Sequence, residues 1–204
     1  MNLSSDCYKT INAPAQGIFK DKGSKFIAYA YPIRSEHDAK ERLATVKGEH
    51  PKARHHCWAY RLTPDGLVFR INDDGEPSGT AGRPILNTLM SLGVTNIMVI
   101  VVRYFGGTLL GVPGLINAYK TATQEVLSNA EIVERQVMGR YRISFEYERM
   151  NDVMRVVKEE SLSVLKQDFD TRCTLELEIP KANQSRALGK MEQLEGTMVE
   201  HLVE

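Results

Sequence analysis

The chain has 204 residues, 42% of them hydrophobic and 25% charged; that is long enough for two domains of ordinary size and globular in composition rather than disordered. Lys plus Arg number 26 and Asp plus Glu number 26, and a cut at Glu134 leaves neither half strongly charged. No basic body is therefore available to wrap nucleic acid, and any such binding requires a local patch.

Three cysteines, Cys7, Cys57 and Cys173, are widely spaced and form no CxxC pair. That disfavours a structural zinc site and reads as reduced thiols in the cytoplasm. Met1 to Thr10 lacks the basic start and apolar core of a signal peptide. The longest apolar run, Ile97 to Val102, is far short of the ~20 residues of a membrane helix.

In chain order, Tyr8 with Ile11, Gly17 to Phe19, and Phe26 to Tyr31 read as short strands, with Asp21-Lys22-Gly23-Ser24 as turn chemistry between the last two. A helix is predicted from Ser35, which with Asp38 makes a capping box; Ala39, Leu43 and Val46 share one face, and His50-Pro51 ends it. Cys57 to Leu62 and Leu67 to Ile71 form a strand pair turned by Pro64-Asp65-Gly66. After a Gly-rich segment comes a helix from about Arg83 to Leu92, with Gly93 placed for a left-handed cap. Ile97 to Val102 reads as a strand buried on both faces. A second Gly-rich loop, Gly106 to Gly114, leads into a long helix buried along Leu115, Tyr119, Ala122 and Val126.

The remainder has its own rhythm. Gln136 to Phe145 is a strand, Met150 to Val157 a helical stripe, Leu162 to Leu165 and Cys173 to Ile179 strands, Leu188 to Leu194 a second stripe, and Thr197 to Val203 a closing strand. That βαββαβ order is the ferredoxin-like signature. The expected fold is α+β, with domains at 1–134 and 135–204.

The stretch with most chemistry is Asp73-Asp74-Gly75-Glu76-Pro77-Ser78-Gly79-Thr80-Ala81-Gly82-Arg83-Pro84. Glycines let a ligand approach the main chain, and the helix that follows offers free N–H groups to an anion, with Arg83 adding donors. The alternative is a rigid strand-to-helix turn capped by Asp73 or Ser78. Asp73, Asp74 and Glu76 do not follow EF-hand spacing. His55 and His56 are strand neighbours that point to opposite faces, which separates them as metal ligands and separates His56 from the thiol of Cys57. No metal, cofactor or catalytic residue is assigned. A metal-dependent hydrolase using acids near Asp73 to Glu76 is the competing functional reading. The second loop, Arg103 to Gly114, lacks both the Walker and the dinucleotide fingerprints, so Gly106 and Gly107 read as a packing turn or a contact surface. Lys20, Lys22 and Lys25 with Phe19 and Phe26 form a small basic hairpin.

DDGEPSGTAGRPIL, from Asp73 to Leu86, resembles the hallmark of the YigZ/IMPACT family. GSKFIA at Gly23, HHCWAYR at His55, VVRYFGG at Val101 and GLINAY at Gly114 fit the same pattern, and the resemblance extends over the whole chain. It implies an N-terminal domain similar to domain 2 of ribosomal protein S5, followed by one similar to the last domain of elongation factor G. It implies a regulator that binds the ribosome, RNA or a translation-linked protein, since eukaryotic relatives regulate translation through a kinase-activating partner. The contact surface it suggests is Asp73 to Arg83 with Arg103, Gly106 and Gly107. The chain departs from the family pattern at Leu109 and Asn117, where a Lys and an Arg are usual, which removes two cations from the place a phosphate backbone would lie.

Overall fold

The computed structural model of the protein describes residues 6–170 and 172–202; Met1 to Ser5 and Val203, to which the terminal readings extended, lie outside them. Two compact units are present, one of Cys7–Arg135 and one built on the residues from Gln136 onward.

The larger unit contains β1 (Cys7–Ile11), β2 (Ala15–Asp21), β3 (Ser24–Pro32), α1 (Glu36–Glu49), β4 (His55–Leu62), β5 (Val68–Asn72), α2 (Gly82–Ser91), β6 (Ile97–Tyr104) and α3 (Gly111–Ser128), and β7 (Ile132–Gln136) follows. Five strands form an antiparallel sheet in the order β2-β3-β6-β4-β5. β1 pairs with β7 in a separate two-stranded ladder. The sequence reading identified β1 and missed β7, because Ile-Val-Glu-Arg-Gln carries no buried stripe and its residues are mostly exposed.

β6 is central because its sequence suits no other place. Ile97 to Val102 are all 1% exposed or less, as β-branched residues on a strand covered on both sides must be. Side chains alternate between faces. Ile97, Val99 and Val101 join the core under α2 and α3, while Met98, Ile100 and Val102 join the core under α1. Each fully buried side chain of this size contributes about 1.5–3 kcal/mol.

The α1 face is bounded by aromatic residues. Tyr29 and Tyr31 of β3 stack at 6.3 Å, and Trp58 and Tyr60 of β4 at 5.6 Å. These rows flank Met98, Ile100 and Val102, and Ala39, Leu43 and Val46 of α1 complete the same cluster. The capping expected of Ser35 is present: its Oγ accepts from the Asp38 N–H at 3.1 Å, and the Asp38 carboxylate accepts from the Arg34 N–H at 2.7 Å. On the other face α2 ends in Gly93, whose φ of +65° is the left-handed cap the sequence called for.

The smaller unit contains β8 (Met138–Phe145), α4 (Met150–Glu159), β9 (Ser163–Phe169), β10 (Cys173–Pro180), α5 (Gln184–Glu192) and β11 (Met198–Leu202). Its sheet runs β11-β8-β10-β9, antiparallel throughout. β10 alternates strictly: Cys173, Leu175, Leu177 and Ile179 are buried in a core shared with Val153, Val156, Ala187 and Met191 of the helices. Glu160, at the end of α4, receives Arg186 at 2.7 Å and Lys190 at 2.8 Å, tying the two helices together.

Among the described residues no helix is long and apolar enough to cross a membrane.

Candidate functional site

The Gly-rich segment runs from the end of β5 into α2. Asn72 Oδ1 accepts from the Asp74 N–H at 2.7 Å and starts the turn. Gly75 and Gly79 then take φ values of +86° and +77°, the left-handed region that glycine enters without steric cost. The segment folds back so that the Asp73 carboxylate meets the first turn of the helix. Asp73 Oδ1 accepts from the N–H groups of Ala81 (3.1 Å) and Gly82 (2.8 Å), and Oδ2 accepts from that of Gly79 (2.9 Å). The N–H groups expected to hold an external anion are therefore occupied by an anion of the protein itself. A carboxylate is what a helix N-terminus prefers, on grounds of both hydrogen bonding and dipole. Ser78, the other candidate cap, is exposed and makes no such bond.

Glu76 and Arg103, both assigned to a contact surface by the sequence, are buried, at 9% and 6% exposure. Arg103 Nη1 donates to Glu76 Oε1 at 2.7 Å, and the Tyr119 hydroxyl donates to the same oxygen at 2.7 Å. The Arg103 guanidinium also lies 5.5 Å from the Phe26 ring centroid, within cation–π range. Its Nε has no hydrogen-bond partner. Beneath Tyr119 the Cys57 sulfur is 3.3 Å from the Tyr119 oxygen and 2.9 Å from the Asp73 carbonyl oxygen. Burial pushes both the thiol and the phenol up, away from their reactive forms. The group is a buried bolt. It joins the turn (Glu76), the central strand (Arg103), α3 (Tyr119) and β4 (Cys57).

The bolt had a signal in the sequence. Arg103 continues the alternation Ile97, Val99, Val101 onto the same covered face, so its charge had to be met by a buried acid. Glu76 is the acid that meets it.

His55 and His56 diverge as their strand alternation requires. His55 Nδ1 donates to the Asp74 carbonyl at 2.9 Å. The His56 backbone N–H donates to Asp74 Oδ2 at 2.7 Å, its Nδ1 lies 3.6 Å from the same oxygen, and Lys47 approaches Oδ1 at 3.7 Å. Burial pushes the His56 imidazole down, towards its neutral form. Asp73, Asp74 and Glu76 thus point to three different sets of protein donors. A metal-dependent hydrolase requires them to converge, and among the described residues no group of three or more His, Cys, Asp or Glu is placed to share a cation.

The second loop is a packing turn at its start. Gly106 lies against the β2–β3 turn, where any Cβ would overlap the Gly23 carbonyl carbon, and its N–H donates to Ser24 Oγ at 3.2 Å. Gly107 is exposed, and the chain then presents apolar side chains outward. Leu109 is 82% exposed, and Phe105, Val112 and Ile116 are also exposed. In the first segment Gly75, Pro77, Ser78 and Arg83 remain exposed, and the Arg83 side chain has no partner among the described residues.

The protein has a mixed α/β architecture of two units, in which Asp73, Asp74 and Glu76 of a Gly-rich turn are bonded to the helix that follows and to the sheet. The Impact N-terminal domain family matches residues 22–127, a span that contains the turn, the bolt and the second loop. The chain belongs to the IMPACT family. It is 34% identical to "IMPACT family member" of Haemophilus influenzae, over 90% of each chain. It is 32% identical to "IMPACT family member YigZ" of Escherichia coli, over 88% of this chain and 89% of that one. A crystal structure of a hypothetical protein superposes over 98% of this chain and 99% of its own, with 29% identity and a TM-score of 0.77.

Proposed function

We propose that this protein is a non-enzymatic accessory factor of the translation machinery, acting in the cytoplasm through the surface left by the turn before α2 and the loop before α3. The observation that carries the reading is the commitment of Asp73, Asp74 and Glu76 to protein donors. Groups spent in this way hold a surface in place and are not free for chemistry. Family membership supports the link to translation, as the resemblance of the motifs implies. The strand order β11-β8-β10-β9 under two helices supports a ferredoxin-like second unit. With a first unit of the S5 domain 2-like type, it is the pairing that elongation factor G presents to the ribosome.

The exposed residues favour a mixed contact. Arg83 supplies an unpaired cation, and Leu109, where the family pattern has a Lys, supplies apolar area together with Val112 and Ile116. The test is co-sedimentation with ribosomes across a salt series, with the wild type and Arg83→Ala compared. Arg83→Ala is expected to weaken association by about 1–3 kcal/mol, because a charge-assisted bond is lost. Its unfolding free energy is expected to stay within about 0.5 kcal/mol, as for most exposed positions. Unchanged sedimentation by the variant, or no sedimentation of the wild type at low salt, would remove the reading.

A further inference from the structure

We propose that a cleft at the opposite end of the chemistry, between β1, the β3–α1 turn and the residue before β6, binds a small phosphorylated molecule. Its volume is about 280 Å³, and Tyr8, Asn12, Arg34, Asp38, Asn96 and Arg135 are among the residues that line it. Nothing in the turn or the bolt contributes to it.

The cleft collects cations that lack an acid. The Arg34 guanidinium makes no ion pair among the described residues, and Arg135 donates only to the neutral Asn12 Oδ1, at 3.2 Å. Both residues line the same cleft, and their guanidinium groups have donors to spare for an anion held there. The fork of donors on Arg suits a phosphate or carboxylate group in bidentate geometry. Two acids stand near. Asp38 also lines the cleft, but its carboxylate is turned to the Arg34 N–H (2.7 Å) and the Ser35 hydroxyl (2.8 Å), which hold it ionised below its usual range. Glu131 Oε2 is held by Asn12 Nδ2 at 3.0 Å.

The rest of the lining is neutral and polar. Asn96 adopts φ +52°, and its carbonyl accepts from both the Thr10 hydroxyl and the Ile33 N–H, at 3.2 and 3.0 Å. Its backbone is thereby fixed while its carboxamide makes no hydrogen bond among the described residues. A carboxamide without a partner, a phenol from Tyr8 and two guanidinium groups suit a ligand with one anionic end and hydroxyls at the other. The volume is just below the range of about 300–1,000 Å³ that holds drug-sized ligands, which suits a ligand of sugar-phosphate size.

The test is calorimetric titration of the full chain with ribose 5-phosphate, with inorganic phosphate and with ribose. Ribose 5-phosphate is expected to bind, inorganic phosphate to bind more weakly, and ribose to give no heat. Arg34→Gln and Arg135→Gln should each weaken ribose 5-phosphate by at least about tenfold, as the loss of a charge-assisted bond implies. Arg54→Gln, which removes an exposed cation of the same unit outside the cleft, should leave the affinity unchanged. In amide spectra the side-chain signals of Asn12 and Asn96 should move on titration. No binding of ribose 5-phosphate at millimolar concentration overturns the proposal. So does an equal loss in all three arginine variants, which marks an effect of net charge alone.

Discussion

Glu76 accepts from both Arg103 and Tyr119 on one oxygen, so its removal strands two buried groups at once. Glu76→Ala is expected to destabilise the chain by about 3–5 kcal/mol, the cost of leaving a buried charge unpaired. Urea unfolding followed by the fluorescence of Trp58, in the neighbouring strand β4, measures it directly. A loss below about 1 kcal/mol would mean that Arg103 finds another partner and that the bolt is not structural. Asp73 works differently. Its carboxylate meets the Ala81 and Gly82 N–H groups, which a helix start leaves unpaired, and the Gly79 N–H of the turn before them, and the sequence offered two ways to satisfy them. Either an outside anion or an aspartate of the turn itself suffices, and both predict the same Gly-rich spacing. Composition could not separate them, because the deciding fact is the fold-back that brings Asp73 within 3.1 Å of residues six to nine positions later. Arg103 was legible in principle. It lies in the alternating register of a strand buried on both faces, where an exposed role is denied to it.

Elements were read more faithfully than sites, and β6 shows why. Six consecutive β-branched or apolar residues have only one stable environment, a strand covered on both sides, and no turn chemistry interrupts them. Ile100→Ala in the middle of this strand is expected to leave a cavity costing about 2–5 kcal/mol. A much smaller change in the urea midpoint would show that α1, which rests on this face, collapses into the space. α4 and α5 were equally visible as apolar stripes, yet the ion cluster that joins them was not, since Glu160 and Arg186 are 26 positions apart. Hydrogen bonds from Lys190 and then Arg186 hold the Glu160 carboxyl below its usual value of 4.5. A depressed carboxylate contributes stability that is complete above its unfolded value and is lost as pH falls through the folded one. The smaller unit is therefore expected to weaken below pH 4.5, and Glu160→Gln to flatten that dependence while lowering stability at neutral pH. Urea unfolding by far-UV circular dichroism over descending pH distinguishes the two proteins. Identical pH profiles would assign the acid sensitivity to other carboxylates. β7 was missed for the converse reason: a mostly exposed strand has no apolar periodicity to declare it.

At the scale of the whole molecule the question is whether each unit folds by itself. The larger unit has two clusters of its own, one on each face of the five-stranded sheet, and the smaller has a separate cluster around Ile143, Phe145 and Leu177. A domain of about 130 residues buries enough surface to be stable alone, whereas one of about 65 residues is marginal. The place of the cut matters. The sequence suggested a boundary after Glu134, but β7 extends from Ile132 to Gln136 and pairs with β1. Its approach is fixed by the Asn12 N–H donating to the Glu131 carbonyl at 2.9 Å and by Arg135 reaching Asn12. A chain of residues 1–136 keeps the whole ladder and is expected to unfold cooperatively. Trp58 is the single tryptophan and lies in β4, so its fluorescence reports the larger unit alone. The urea midpoint it records should match that of the full-length chain, while far-UV circular dichroism of the full-length chain reports both units and should show a second transition. A chain of residues 1–131 loses β7, uncovers one side of β1, and should unfold at lower urea than 1–136. If 1–136 is unfolded at neutral pH without urea, the larger unit does not stand alone and the two cores are one cooperative system. If 1–131 and 1–136 share one midpoint, the β1–β7 ladder contributes nothing to the larger unit, and the boundary belongs before Ile132.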